Sequence, residues 1–143
     1  MLGNSSNNLS PDSLGNCYIY SNFRKSFFLG AKLVRANGND NFFISKINRQ
    51  GVTEWVLQGE GKFGGLWGFV NQATNNLILK GYVGGTFTLN EKSFTGQNDI
   101  LLEIDNGGQI ISDYVFPVKA AVTGMNNYKN SIFFFSKYVH EDL

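Results

Sequence analysis

Apolar residues fall in short bursts along this chain, and no stretch sustains a helical period of about 3.6 residues. Runs rich in Ile, Val, Phe and Tyr are split by Gly and Asn clusters, a pattern that reads as many short strands. Alternation is clearest over residues 41–48, where Phe42, Ile44 and Lys46 fall on one face and Phe43, Ser45 and Ile47 on the other. Leu77 and Leu79 oppose Ile78 in the same way. The pattern predicts strands over residues 16–23, 41–48, 52–58, 66–71, 76–83, 97–105, 109–116, 118–123 and 131–139. Residues 7–12 stand where a further strand belongs, but Pro11 and its polar neighbours predict a weak or absent one. Asn48-Arg49-Gln50-Gly51 and Asp105-Asn106-Gly107-Gly108 read as tight hairpin turns, since Asn and Gly tolerate positive φ.

The pattern repeats. Asn16-Cys17-Tyr18-Ile19-Tyr20 returns 60 positions later as Asn76-Leu77-Ile78-Leu79-Lys80. Phe28 and Phe87 each precede an aspartate, Asp40 and Asp99, by 12 positions. A third copy supplies Phe133 to Val139 against Leu77 to Val83. Self-similarity at this spacing signals stacked supersecondary units. The expected organisation is one domain, 1–143, with a first copy at about 7–62, a second at about 63–117 and a partial third at about 118–143. An antiparallel four-stranded sheet is apolar on both faces and must be covered by its neighbours. The expected fold is therefore all-β, with antiparallel four-stranded, blade-like sheets.

These anchors resemble the seven-bladed β-propeller repeat (SBBP) family, found in many secreted and viral repeat proteins. The first copy offers Gly15-Asn16-Cys17-Tyr18-Ile19-Tyr20, Phe28, Asn37-Gly38-Asn39-Asp40, Phe43-Ile44-Ser45-Lys46-Ile47-Asn48, Gly51 and Trp55. The second offers Asn76, Gly81-Tyr82, Phe87, Gly96-Gln97-Asn98-Asp99, Leu102-Glu103-Ile104-Asp105 and Gly108, with Ile110-Ile111-Ser112 where the family carries its Trp. The resemblance implies a partial β-propeller of about two and a half repeats. It implies a scaffold or binding module and carries no catalytic residue across. A closed propeller takes at least about four blades.

Composition narrows the function classes. A chain of 143 residues that is 42% hydrophobic and 15% aromatic can bury a real core. Its net charge of +1 argues against a broad electrostatic footprint for nucleic acid. No apolar run approaches the roughly 18 residues of a membrane-spanning helix. The polar stretch 1–11 lacks the apolar core of a signal peptide, which favours an intracellular or virion-associated protein. The lone Cys17 sits in a β pattern and reads as a small buried hydrophobe rather than a reactive thiol.

Candidate chemistry is sparse. Asp40 and Asp99 read as Asx turns that fix their loops, with calcium as the competing reading. His140, beside Glu141 and Asp142, reads as a solvated terminal segment rather than a metal site. Gly61-Lys62-Phe63-Gly64-Gly65 lacks the P-loop pattern and reads as a connector between blades. Nothing selects a glycosidase pair from Glu54, Glu60, Asp105 and Asp113. Phe63, Trp67 and Tyr82, with Trp55, could form an aromatic platform for glycan or protein, against the alternative of packing between blades. No catalytic residue, metal ligand or cofactor is implied.

The expected function is that of a non-enzymatic structural or assembly protein, a minor component of a viral particle or a homo-oligomeric scaffold. The alternative is a glycan- or protein-binding module. The expected partners are other protein chains, through self-association or a larger assembly. The strand over 131–139 carries Phe133, Phe134, Phe135 and Tyr138 and is apolar on both faces. A strand of that kind belongs between two layers, so these residues are the expected interface with another chain or another copy.

Overall fold

The computed structural model describes residues 8–116, 120–128 and 131–138, with side chains described for 9–116. Every regular element among them is a β-strand. None of the described residues forms a helix long and apolar enough to cross a membrane. Seven strands build one antiparallel sheet in chain order. They are β1 (Asn8–Pro11), β2 (Cys17–Phe23), β5 (Asn41–Ile47), β6 (Thr53–Val70), β7 (Leu77–Leu89), β8 (Lys92–Ile104) and β9 (Ile110–Val115). Between β2 and β5 the chain makes a separate hairpin of β3 (Phe27–Leu29) and β4 (Lys32–Val34). Beyond β9, β10 (Ala120–Tyr128) and β11 (Ser131–Tyr138) pair with each other.

The long strand β6 joins two four-strand units. Its first part, 53–60, pairs with β5, and its last residues, 67–70, pair with the start of β7. Glycines carry the bend between them. Gly61 holds φ +107 and Gly65 φ +58, a left-handed region that side chains avoid. Register shifts at Gly61/Phe63 and Gly64/Trp67 mark the same place. The expected connector at 61–65 is thus part of one continuous, bent strand. The first unit is β1, β2, β5 and the start of β6. The second is the end of β6, the start of β7, the end of β8, and β9.

Strand registers fix how the units correspond. In the first unit Cys17 pairs with Ile47, Tyr20 with Ile44 and Phe23 with Asn41. In the second, Leu77 pairs with Ile104, Lys80 with Leu101 and Val83 with Asn98. The correspondence is a shift of 60 positions on the first strand of each pair and 57 on the second. The turns agree. Asn48 and Asp105 each accept two backbone amides on Oδ1, and Gly51 (φ +80) matches Gly108 (φ +83). Asp12 and Asn71 each open the preceding turn with an amide donated to the carbonyl of Asn16 or Asn76. Both units carry a β-bulge at the same place, Lys46/Ile47 and Glu103/Ile104.

Asp12 makes its turn sensitive to acid. Burial raises its carboxyl, but hydrogen bonds from Asn16 and Leu14, with the charge of Lys46, outweigh it and hold the pKa below 3.8. The folded state therefore keeps Asp12 ionised to lower pH than the unfolded chain does. Its contribution is complete above about pH 4 and is lost as pH falls through the folded value. Thermal melts should show the parent losing more stability than Asp12→Asn between pH 5 and pH 2. Identical acid profiles would remove Asp12 as a contributor.

Three expectations change. Residues 8–11 do form a strand, with all four residues registered against β2; Pro11 closes it at the sheet edge, where a missing N–H costs little. Residues 84–96, left between the strands predicted at 76–83 and 97–105, instead continue β7 and β8, paired without interruption down to Leu89 and Lys92. The alignment of Phe28 with Phe87 slips by one. Phe27 pairs with Val34 as Phe87 pairs with Phe94, and Leu29 pairs with Lys32 as Leu89 pairs with Lys92. Phe28 is 70% exposed while Phe87 is fully buried.

The main core lies between the units. The first contributes Tyr18, Tyr20, Phe42 and Ile44, the second Leu77, Leu79, Val83, Ile100 and Leu102. Phe63 stacks on Phe87 at 4.4 Å and meets Phe42 edge-on at 4.9 Å. By register, Tyr18, Tyr20 and Ile44 correspond to Ile78, Lys80 and Leu101, which lie on the far side of the second unit. Leu77, Leu79 and Val83 correspond to Cys17, Ile19 and Phe23, on the far side of the first. The units therefore stack head to tail, one face of the first against the opposite face of the second.

Polar contacts fix this stacking. The single proton of the Tyr18 hydroxyl is shared between two acceptors, Asn106 Oδ1 (3.1 Å) and the Asn75 carbonyl (3.3 Å). Trp55 Nε1 donates to the Asn106 carbonyl (2.9 Å). Burial first, then the charges of Asp12, Glu54 and Asp105, push the Tyr18 hydroxyl up to about 12, so it remains a donor throughout the neutral range.

Candidate interaction surface

Each unit also has a face turned away from the other. On the second unit, the outer face is built by alternation on four adjacent strands. One cross-strand row reads Trp67, Lys80, Leu101 and Tyr114. Tyr82 and Asp99 pair in the next row, and Phe69, Ile78, Glu103 and Ser112 form the row on the other side. Trp67 is 42% exposed, Tyr82 43% and Tyr114 55%. They surround a largely buried ion pair, Lys80 Nζ to Asp99 Oδ1 at 3.0 Å. Beside them on the same face Ile78 and Phe116 form a small second cluster with Phe69 and Leu101. A row of four strands is about 14 Å wide, so Trp67 and Tyr114 stand at its two borders with the ion pair between.

The platform expected from the sequence therefore divides. Trp67 and Tyr82 share this outer face. Phe63 does not: it is 1% exposed and lies on the opposite face, in the main core. Its β6 neighbour Gly64 pairs with Tyr82, and strand alternation turns Phe63 inward. Trp55 is also drawn to the inter-unit contact, beside Tyr18 at 5.9 Å. Tyr114 was missed because Ser112 and Asp113 break the apolar run of its strand and set it apart from the other aromatics.

The outer face of the first unit is apolar and covered. Ile19, Phe23, Phe43 and Val56 lie under the β3–β4 hairpin, which sets Phe27, Leu29 and Val34 on them. Phe23, Phe27 and Phe43 meet edge-to-face at 5.2–5.9 Å. The Gln58 side chain acts as a short piece of strand, accepting the Arg35 amide (3.1 Å) and donating to the Arg35 carbonyl (3.0 Å). Thr53 Oγ1 holds the hairpin tip through the Leu29 carbonyl (3.0 Å). The opposite face of the hairpin presents the cross-strand pair Phe28 and Leu33, 70% and 38% exposed.

The remaining candidates settle as structural groups. Asp99 is not in a loop and is not the counterpart of Asp40. It sits within β8 at the register position of Phe42, whereas Asp40 lies just before β5. Glu54 pairs with Lys46 (2.8 Å), Glu60 accepts from Asn37 (2.9 Å), and Asp113 pairs with Lys92. Asp105 is engaged in its turn. Burial, then the charge of Asp12, pushes the Cys17 thiol up and disfavours the reactive thiolate. Among the described residues no three of His, Cys, Asp and Glu gather where they could hold a metal ion. The side chains of Phe133, Phe134, Phe135 and Tyr138, and all of His140, lie outside the described residues, although the backbone of β11 is paired along its length with β10. Comparison of the chain with protein-family models, with curated proteins and with solved structures gives no match.

Proposed function

We propose that this chain is a non-enzymatic repeat module of β-propeller type that works by protein association. The observation that carries the reading is the head-to-tail stacking of its two units. A face that packs on its opposite is a heterologous contact, and repeating such a contact extends into a ring or a stack. Blades of a propeller are related in this way, whereas the halves of a symmetric sandwich are not. The backbone of β10 and β11 is consistent with a third unit, pairing as the end of β6 pairs with the start of β7. A module of this kind suits a homo-oligomeric scaffold or a minor component of a particle.

Sedimentation velocity across a wide concentration range tests the reading. The expected result is a shift toward larger species as concentration rises. A single monomeric species throughout would overturn it.

A second reading, a binding module for glycan or protein, is favoured by the exposed Trp67, Tyr82 and Tyr114 on one face. Aromatic faces supply contact area at low entropic cost. Saturable quenching of Trp fluorescence by an oligosaccharide, lost in Trp67→Ala and retained in Trp55→Phe, would favour this reading over the first.

A further inference from the structure

The same hairpin occurs twice in the chain and takes two different positions. Phe27, Leu29, Lys32 and Val34 correspond to Phe87, Leu89, Lys92 and Phe94, with the same cross-strand pairs in each copy. In the second unit the hairpin continues β7 and β8 without a break and reaches the first unit. Gly59 pairs with Leu89 and Glu60 with Thr88, and the Asn90 amide donates to the Gln58 carbonyl (3.1 Å). Phe87, Leu89 and Phe94 enter the main core there. In the first unit β2 stops at Phe23 and β3 begins only at Phe27. The hairpin then folds back on its own sheet, with Phe27, Leu29 and Val34 on Ile19, Phe23, Phe43 and Val56.

The face it covers is the one by which a unit stacks on its neighbour. Ile19, Phe23 and Phe43 hold the register positions of Leu79, Val83 and Ile100. Those three lie in the main core with Tyr18, Tyr20, Phe42 and Ile44 of the first unit. The hairpin therefore supplies, within the first unit, the cover that a neighbouring unit gives the second. The sequence provides for this. Arg24-Lys25-Ser26 stand where Gly84-Gly85-Thr86 carry the second hairpin straight on, and six residues, 35–40, return to β5 where three, 95–97, return to β8. The longer return is anchored at the buried Asn41, whose side chain accepts the Asn37 amide (2.7 Å) and donates to the Gly38 carbonyl (3.1 Å). Ser26 Oγ accepts the Ala36 amide (2.9 Å). With the contacts of Gln58 and Thr53, these bonds hold both ends of the hairpin down.

We propose that the β3–β4 hairpin is a cap that ends the repeat stack at the first unit and keeps a second copy of this chain off the face formed by Ile19, Phe23, Phe43 and Val56. The inference rests on the reading of the chain as an assembling repeat module, and it names the surface at which assembly is held back. A second copy is the occupant excluded, because the same face of the second unit already receives a unit of this chain. The end units of a repeat stack need their outer apolar face covered, and here a displaced hairpin does so. Association of the parent then runs through its other surfaces.

Sedimentation equilibrium of two uncapped variants tests the cap. One carries Val34→Asp, a charge at a fully buried position of the hairpin. In the other, Thr-Gly-Gln, the short return of the second copy, replaces residues 35–40. Each should self-associate about tenfold or more tightly than the parent, as when apolar anchors become available to an interface, with the β signal in circular dichroism retained. A cross-link then closes the cap again. A Cβ at Gly30 stands 3.7 Å from Thr53 Cβ, within the roughly 3.5–4.5 Å that a disulfide spans. In Val34→Asp carrying also Gly30→Cys, Thr53→Cys and Cys17→Ser, oxidation should bring association back toward the parental level and reduction should release it. Folded uncapped variants that associate no more than the parent would overturn the cap and leave the assembly reading standing. A gain that survives oxidation would overturn it as well, since the covered face would not be its source. So would loss of the β signal in both uncapped variants, because the hairpin would then be part of what holds the sheet. A parent that is monomeric at every concentration, beside uncapped variants that associate, would overturn assembly of the parent and leave the cap standing.

Discussion

Phe87→Ala is expected to cost about 3–5 kcal/mol, the range for truncating a fully buried Phe. In a chain of this size that lowers the melting temperature by roughly 10–20 °C. Phe87 is fully buried, stacks on Phe63 and Phe94, and meets Phe42 at 5.8 Å. It therefore joins the two units as well as filling space. The ring sits over the bend of β6, where Gly61 leaves no side chain of its own, so the surroundings have little freedom to collapse into the cavity. Phe28→Ala supplies the contrast. Its ring is mostly in water, so the change should leave the melt within about 0.5 kcal/mol of the parent. Comparable losses in the two variants would restore the one-residue-shifted alignment of Phe28 with Phe87 and contradict the buried position of one and the exposed position of the other.

The strands richest in apolar residues were legible in the sequence because both faces of each meet a core: Phe42, Ile44, Leu77 and Leu79 enter the main one, while Phe43 and Ile78 enter separate clusters on the other side. Over 41–47 and 77–83 the period of two is visible, and the structure places those strands where the pattern puts them. The turns were legible because Asn48, Gly51, Asp105 and Gly108 do local work that no distant contact can override. The segments misread were those whose structure depends on another unit. Residues 84–96 carry Gly84, Gly85 and Gly96 and fall outside the predicted strands, yet they form strand because pairing to β6 supplies the order their sequence lacks. Residues 8–11 read as weak for the same reason and are held by β2 and by Ser10 Oγ donating to the Gly68 carbonyl (3.0 Å).

The candidate surface was half legible. Trp67 and Tyr82 are large and conspicuous, but their exposure is decided by which side of the sheet the other unit occupies. Single-strand alternation cannot say which side that is. Phe63 was drawn to the wrong group because the register shifts beside it decouple its face from a simple count along β6. The signal for the hairpin was present throughout. Phe27, Leu29 and Lys32 recur as Phe87, Leu89 and Lys92 at a constant spacing of 60. Anchoring on that triplet, rather than on a single Phe, separates Phe28 from Phe87 and exposes the Phe28/Leu33 pair as the feature peculiar to the first copy.

Gly61→Ala should be among the most damaging small substitutions in the chain. Two independent costs fall on one methyl group. Its φ of +107 is a conformation that side chains rarely adopt, a strain of about 1–3 kcal/mol. A Cβ there would also stand 2.2 Å from the Thr86 carbonyl oxygen and 3.0 Å from Phe87 Cα, backbone atoms that cannot turn aside. Overpacking of that kind adds about 1–3 kcal/mol. The pairing of Gly61 with Phe87 would have to open, and that pairing is where the second hairpin joins the first unit. The loss should therefore appear as more than a lower melting temperature. If the two units lose their fixed relation while each keeps its strands, urea unfolding should broaden or split, since a single cooperative transition requires the units to open together. Gly51→Ala is the matched control: it also has positive φ (+80), but nothing lies within 4 Å of its Cβ, so it carries the strain without the clash. A Gly61→Ala variant no less stable than Gly51→Ala, unfolding in one sharp step, would mean that the bend in β6 does not depend on close backbone approach at this residue.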